Sequence, residues 1–153
     1  MYQKQEECKD PEGCQRKKVM FSLSNAQEVE EHGQTEYEAL RKVFVAEGFG
    51  CVSLSKHVQA RMYEKAVSEF ALRTVVLEGE PIEYHKNEFG TQKITLWGNV
   101  HVGKASYRPL HIILKKGRKQ EKWSIVTVYD PRSKTRQWNN SFTERICFCK
   151  EKQ

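Results

Sequence analysis

The sequence predicts an α+β fold in which N-terminal helices pack on one face of a four-stranded antiparallel meander. Two observations lead to this prediction. Up to residue 79, apolar side chains recur at helical spacing between residues that cap helices. Beyond Pro81, four segments rich in β-branched and aromatic residues are separated by charged or glycine-containing stretches. Helices that precede strands in this way are typical of an α+β domain.

Two helices are predicted before residue 48. Two pairs have the spacing of a capping box, Asn25 with Glu28 and Thr35 with Glu38. The first pair would begin a short helix that stops at Gly33. The second would begin a helix that stops at Gly48 and buries three residues at helical spacing, Tyr37, Leu40 and Phe44.

Two more helices are predicted between residues 55 and 79. Ser55 is a suitable N-cap for a helix over residues 56–66, whose apolar stripe consists of Val58, Met62 and Ala66. Ser68 is a suitable N-cap for the next helix, which would end at Gly79. Its buried residues would be Leu72, Val75 and Val76.

The four predicted strands cover residues 82–85, 93–102, 110–115 and 123–129. Alternate residues of a strand share a face, so His111 and Lys115 should lie opposite the core residues Leu110, Ile112 and Leu114. In the last strand the same alternation puts Val126 and Val128 on one face, and Ile125, Thr127 and Tyr129 on the other. One sequence does not fix whether His111 and Tyr129 face the same side.

The chain is long enough for one domain with a hydrophobic core. Residues 1–18 are predicted to form a flexible polar arm, residues 19–146 a single α+β domain, and residues 147–153 a C-terminal tail. The polar N-terminus lacks the apolar core of a signal peptide, and no segment has the length of a membrane helix. A cytoplasmic location is therefore expected.

Basic residues are concentrated in the C-terminal third. Residues 104–153 contain 13 Lys and Arg against 4 Asp and Glu, although the whole chain is only at +6. Such a charge distribution favours binding to a polyanion, because clustered cations release counterions from phosphates. The candidate nucleic-acid contacts are Lys65, Lys115, Lys116, Arg118 and Lys119. The basic run at residues 115–122 would equally suit a solvated hairpin loop.

The five cysteines are expected to be reduced, because nothing indicates export and their number is odd. Cys8 and Cys14 lie near one terminus, and Cys147 and Cys149 near the other, so a zinc site would form only if the termini meet. Their spacings miss the usual zinc knuckle. Ordinary thiols are therefore the favoured interpretation, and no metal or cofactor is predicted. Cys51 is expected to be a small buried hydrophobe.

Several short motifs occur in a fixed order. They are SKHVQARMYEKAVSEFALRTVVLEGEPIEY from Ser55, RPLHIIL from Arg108, WSIVTVYDP from Trp123, and finally Trp138. Over roughly residues 53–138 this order resembles a family of small bacterial HxxxR domains of unknown function. That family has been grouped with the RelE and BrnT toxins in the barnase, EndoU, colicin and RelE class of metal-independent ribonucleases. The chain departs from the family at Lys65, where a second arginine is common.

The resemblance implies a RelE-like fold and a toxin-type endoribonuclease. His57 would act as acid or base, Arg61 would hold the phosphate, and His111 would be the second proton-transfer group. Thr127 and Tyr129 would donate hydrogen bonds to phosphate oxygens. The implied partners are RNA, either tRNA or mRNA, and an acidic antitoxin or immunity protein.

Other interpretations of the same residues stay open. A histidine followed four residues later by a basic residue is expected by chance about once in such a composition. His111 also suits a half-buried strand histidine that is hydrogen-bonded to the backbone. The main alternative function is a non-catalytic nucleic-acid-binding or regulatory module, with a four-cysteine zinc site at the termini. A third is an interaction protein that docks another protein.

Overall fold

A long helical segment precedes the sheet in the computed structural model, which describes residues 7–149. Helix α1 (Pro11–Glu28), a π-helical turn (Val29–Gly33) and helix α2 (Gln34–Glu47) follow one another without a break. No helix within the described residues combines the length and apolarity needed to cross a membrane.

Helix α1 begins inside the segment predicted to be a flexible arm. Asp10 is its N-cap and accepts a hydrogen bond from the backbone N–H of Gly13 at 3.0 Å, and Pro11 occupies the first helical position. Most side chains of this helix are exposed, so no apolar stripe marks it in the sequence. Residues 1–6 of the predicted arm lie outside the described residues.

The two predicted capping boxes lie inside this continuous helical segment. Gly33 has a helical φ of −62° and does not end a helix. A Cβ atom added to Gly33 would lie 2.8 Å from the Cβ of Tyr84, so glycine lets the helix approach the sheet closely. The predicted end of the second helix is confirmed, because Gly48 has a left-handed φ of 61°. Its predicted core residues are buried as well: Tyr37, Leu40 and Phe44.

The caps predicted for the next two helices are confirmed. The Ser55 hydroxyl accepts the backbone N–H of Val58 at 3.1 Å and begins α3 (Lys56–Glu64). The Ser68 hydroxyl accepts the N–H of Ala71 at 3.0 Å and begins α4 (Glu69–Glu78). Ala66, predicted to continue the apolar stripe of α3, is exposed instead, because the helix ends before it and its φ is 53°.

The sheet has five strands and is mixed, whereas the sequence predicts four antiparallel strands. Strands β2 to β5 form the predicted antiparallel meander, and β1 is added parallel to β5, giving the order β1-β5-β4-β3-β2. Strand β1 has only three residues, too few for an alternating pattern to mark it. The strands are β1 (Val52–Leu54), β2 (Glu80–Lys86), β3 (Gln92–His101), β4 (Tyr107–Lys116) and β5 (Trp123–Tyr129).

A register shift in β5 changes which of its residues face the core. Ile113 lies opposite Thr127, but the next residue, Leu114, lies opposite Ile125. Val126 is therefore the extra residue of a bulge, and Ile125 joins Val128 in the core. The predicted grouping of Val126 with Val128 is wrong for this reason, since strict alternation fails at a bulge.

Both faces of the sheet are covered. Helices α2, α3 and α4 pack on the first face, where their apolar residues join the even-numbered residues of β4, Leu110, Ile112 and Leu114. The C-terminal segment, residues 131–149, covers the second face. Its Trp138 lies edge-on to His111 with ring centroids 4.3 Å apart, and its Arg145 donates to the Glu83 carboxylate at 3.0 and 3.1 Å.

Helix α1 passes along the outer edge of the sheet, at β2. The Asn25 side chain donates to the Ile82 carbonyl at 2.8 Å and accepts the Tyr84 N–H at 3.2 Å. It thereby forms hydrogen bonds with backbone groups of β2 that have no neighbouring strand to pair with at the edge of the sheet. Nearer the helix N-terminus, Phe21 packs edge-on against Phe148 of the C-terminal segment. The two ends of the described chain therefore meet beside this edge.

Replacing Gly33 by alanine tests the close approach of the helix to β2. The added methyl would crowd Tyr84 at its Cβ, next to the strand backbone, where the neighbour has little freedom to move. Overpacking costs about 1–3 kcal/mol, and the gain in helix propensity returns about 1, so we expect a net loss of up to about 2 kcal/mol. The measurement is the free energy of unfolding in urea.

Gly50→Ala is the matched control for this substitution. Nothing lies within 4 Å of a Cβ added at Gly50, so its stability should stay within about 0.5 kcal/mol of the parent. Equal stabilities for the two alanine variants would contradict the packing of Gly33 on Tyr84.

Candidate functional site

The predicted pair His57 and Arg61 lies on the exposed side of α3. The opposite side of that helix carries Val58 and Met62, which are buried in the core. Arg61 is half exposed, and its guanidinium is 3.6 Å from the Glu64 carboxylate one turn later. Such a surface ion pair contributes little stability, so the arginine is available to an external anion.

His111 is fully buried on the second face, and both of its ring nitrogens are engaged. Nε2 lies 2.7 Å from the Phe142 carbonyl oxygen, and Nδ1 lies 3.0 Å from the Tyr129 hydroxyl. A carbonyl only accepts, so Nε2 carries the proton and Nδ1 accepts from the tyrosine. His111 therefore has no nitrogen left with which to transfer a proton to or from a substrate.

Burial also keeps the His111 ring neutral. Loss of solvent lowers its pKa from 6.5 to about 4, and the hydrogen bond to the Phe142 carbonyl acts in the opposite direction but is the smaller effect. At neutral pH the imidazole is uncharged and acts as a bridge between β5 and the C-terminal segment.

The structure does not bring the predicted catalytic residues together. His57 and Arg61 lie on the helix side of the sheet, whereas His111 points to the second face, because it alternates with core residues of β4. Tyr129 does share the second face with His111 and is bonded to it. Thr127 is half-buried in the adjacent position, opposite Ile113. The five predicted catalytic residues therefore form two separate groups, one on α3 and one on the second face of the sheet.

The predicted nucleic-acid contacts are also divided. The Lys65 carbonyl accepts a hydrogen bond from Arg108, at the start of β4. Lys115 and Lys116 are at the end of the same strand, about 23 Å away at 3.3 Å per residue. Arg118 and the other basic residues of the following loop extend beyond that end, so Lys65 belongs to a different surface.

Two hairpin loops meet at this end of the sheet and form a basic surface. They join β2 to β3 and β4 to β5, and a Cβ added at Gly90 would lie 3.1 Å from the Cβ of Arg118. We call residues 86–93 and 115–122 the basic loop surface; they include seven Lys and Arg against two Glu. A groove of about 500 Å³ lies between the loops, lined by residues that include Lys86, Phe89, Lys116 and Arg118.

Two lysines of the basic loop surface face each other directly. Lys93 on β3 is the pairing partner of Lys115 on β4, and His85 on β2 is opposite Lys93 on its other side. Burial lowers the pKa of Lys93; the Glu83 carboxylate opposes this effect, and the neighbouring Arg145 and Lys115 add to it. The basic run in the sequence points to Lys115 but not to Lys93, because their pairing depends on strand register.

The four terminal cysteines come together in one cluster. The Sγ atom of Cys14 is 3.5 Å from that of Cys149 and 3.9 Å from that of Cys147, and Cys8 is 3.8 Å from Cys149. All four sulfurs lie within 4.8 Å of one another. A disulfide would need about 2.05 Å, so all four are free thiols. The condition set by the sequence, that the termini meet, is fulfilled.

Backbone groups surround the cysteine cluster. The Phe148 N–H donates to the Cys14 sulfur at 3.3 Å. A backbone hydrogen bond from Lys9, followed by the neighbouring thiols, lowers the pKa of Cys149 to about 6. Cys51 lies elsewhere, buried in the hydrophobic core as predicted. Within the cluster, burial raises the pKa of Cys147 to about 12, so the thiols differ in acidity.

Changing the pH tests the buried neutral state of His111. Below about pH 6.5 the unfolded chain protonates this histidine, whereas the folded chain does so only near pH 4. Its contribution to stability is thus complete above pH 6.5 and is lost as the pH falls to 4, by about 3 kcal/mol in total. Urea denaturation at pH 7.5 and 4.5 should show a smaller fall in stability for His111→Gln than for the parent.

His57→Gln is the control, because it replaces an exposed histidine. It should show the same fall in stability between the two pH values as the parent protein. If His111→Gln behaves like the parent too, the ring is not held neutral in the folded state.

Comparisons with family models, with curated proteins and with solved structures find no match to this chain. The resemblance to the HxxxR domains stays a prediction from the motifs. The function must therefore be inferred from the residues that the structure brings together.

Proposed function

We propose that the protein is a non-catalytic module that binds single-stranded RNA through its basic loop surface. The observation that carries this proposal is the direct pairing of Lys93 with Lys115, next to the loop cations. Like charges at directly opposite positions destabilise an antiparallel pair. A bound phosphate backbone would relieve this repulsion, and release of its counterions would favour binding.

An exposed aromatic side chain supports a single-stranded ligand. Phe89, at the tip of the β2–β3 loop, is 74% exposed and lines the groove together with Arg118. Proteins that bind single strands combine a cationic groove with aromatic rings on which bases stack. Phe89 supplies the ring, and the lysines and arginine supply the groove.

The positions of His57 and His111 favour binding over catalysis. Metal-independent cleavage of RNA requires two proton transfers, to and from different oxygens. His111 has both nitrogens occupied inside the protein, and His57 lies on the helix side of the sheet. A second candidate function is the toxin-type endoribonuclease implied by the resemblance. It is favoured by one observation, the exposure of His57 and Arg61 on adjoining turns of α3.

Reversing two loop charges tests the RNA-binding surface. The double variant Arg118→Glu with Lys119→Glu should weaken binding of a fluorescein-labelled single-stranded RNA, measured by anisotropy between 50 and 200 mM salt. For every phosphate that the variant no longer neutralises, the slope of log K against log salt should flatten by about 0.7. Phe89→Ala should weaken single-stranded binding by about 1–3 kcal/mol and leave duplex binding unchanged.

Lys17→Glu with Lys42→Glu provides the matched double charge reversal, because both lysines are exposed and lie on α1 and α2, outside the basic loop surface. This variant should bind RNA as the parent does. Equally weakened binding in this variant and in the loop variant would show that only net charge matters, and would overturn the proposed surface.

Incubation with total RNA, both with EDTA and without it, decides between the two functions. A binding module leaves the RNA intact. Cleavage by the parent that disappears in both His57→Ala and Arg61→Ala, in folded protein, would establish the endoribonuclease instead. Since each positioned proton-transfer group contributes about 10²- to 10⁴-fold in rate, loss of His57 would be plain on a gel.

A further inference from the structure

We propose that Cys8, Cys14, Cys147 and Cys149 bind one Zn²⁺ ion in a structural site that joins the two ends of the chain. The four sulfurs come from two places far apart in sequence, before and within the first turn of α1 and at the end of the C-terminal segment. Neither pair has the spacing of a zinc knuckle. The fold, and not local spacing, brings the ligands together.

The distances between the sulfurs match a single tetrahedral ion. Zinc–sulfur bonds of about 2.3 Å place any two ligands of a tetrahedron about 3.8 Å apart. Three of the sulfur–sulfur distances in the cluster are 3.5, 3.8 and 3.9 Å. The remaining pairs of sulfurs lie within 4.8 Å, so small shifts of the side chains would bring four ligands to one centre.

The number and type of ligands indicate a structural role. Four thiolates fill every position of a tetrahedral zinc ion, so none is open to water or substrate. Cys14 and Cys147 are buried, and Cys8 and Cys149 are half-buried, so the ion would be shielded from solvent. Phe148, which lies between two of the ligands in the chain, packs edge-on against Phe21 beside this site.

Zinc fits these ligands better than an iron–sulfur cluster does. Tetrahedral sites made of four thiolates hold either zinc or iron–sulfur centres. In an iron–sulfur cluster the thiolates bind different irons, with sulfides between them, so their sulfurs lie further apart than those bound to one ion. Sulfurs within 4.8 Å of one another suit a mononuclear centre.

A backbone amide also contacts the cluster. The Phe148 N–H donates to the Cys14 sulfur at 3.3 Å. Donors of this kind stabilise negative charge on sulfur and orient metal ligands. Four thiolates this close would repel one another without a cation between them.

The ion would fasten the C-terminal segment over the second face of the sheet. That segment supplies Trp138 and the Phe142 carbonyl, which enclose His111, and Arg145, which pairs with Glu83. Since a metal that binds only the folded chain contributes its binding energy to folding, removal of zinc should loosen the segment first.

The metal content of the purified full chain tests the proposal directly. Inductively coupled plasma mass spectrometry should find about one zinc per chain. Cys149→Ser and Cys14→Ser should each lose most of that zinc, while Cys51→Ser, a matched change of a cysteine outside the cluster, should retain it. Because Cys14 is buried and its variant could unfold, Cys149→Ser at the half-exposed position is the deciding variant, with folding checked by circular dichroism.

Cobalt substitution gives an independent readout of the geometry. Protein refolded with Co²⁺ should show the visible absorption of tetrahedral cobalt with thiolate charge-transfer bands, in the parent and in Cys51→Ser but not in Cys149→Ser. Zinc far below one per chain even after refolding with excess Zn²⁺, iron in its place, or equal zinc in Cys149→Ser and the parent would each overturn the proposal. None of these results depends on whether the basic loop surface binds RNA.

Discussion

The rest of the structure depends on the burial of strand β4 from both sides. Leu110, Ile112 and Leu114 on one face and His111 on the other have no solvent exposure. A central strand in this position needs a cover on each face, because an open face would leave apolar and aromatic surface in water. Helices α2 to α4 provide the first cover, and the C-terminal segment provides the second.

The two covers are held in different ways. The helices bury apolar stripes and keep their own backbone hydrogen bonds, so packing alone suffices for them. The C-terminal segment has little regular secondary structure after Lys134 and depends on individual side-chain contacts. These are the ring of Trp138 on His111, the paired hydrogen bonds of Arg145 to Glu83, and the cysteine cluster.

Among these contacts, the Glu83–Arg145 ion pair is largely buried, and Glu83 also accepts a hydrogen bond from the Thr95 hydroxyl at 3.3 Å. Burying a charge pair costs about as much as the attraction returns, but losing one partner is strongly unfavourable. The ion pair therefore contributes more to fixing the position of the C-terminal segment than to the free energy of folding.

Sequence patterns predict the local elements and miss what depends on distant partners. Ser55 and Ser68 are recognisable as caps because a cap acts within three residues, and the meander is recognisable from its alternation. Gly33 has the pattern of a helix end, but its real reason, contact with Tyr84, lies in another element. The surroundings of His111 and the meeting of the four cysteines cannot be read from the sequence for the same reason, because both depend on where the C-terminal segment packs.

The extent of the C-terminal segment explains why β4 carries both a buried and an exposed basic group on one face. His111 and Lys115 share the second face, four residues apart, and the segment encloses His111 but leaves Lys115 exposed. In the row of Lys115, His85 is exposed as well, and Lys93 is half-buried beside Arg145. The lysines are held by strand pairing and not by the segment, so the basic loop surface would persist if the segment loosened. The packing of the C-terminal segment and the positive charge of the basic loop surface can therefore change independently of each other.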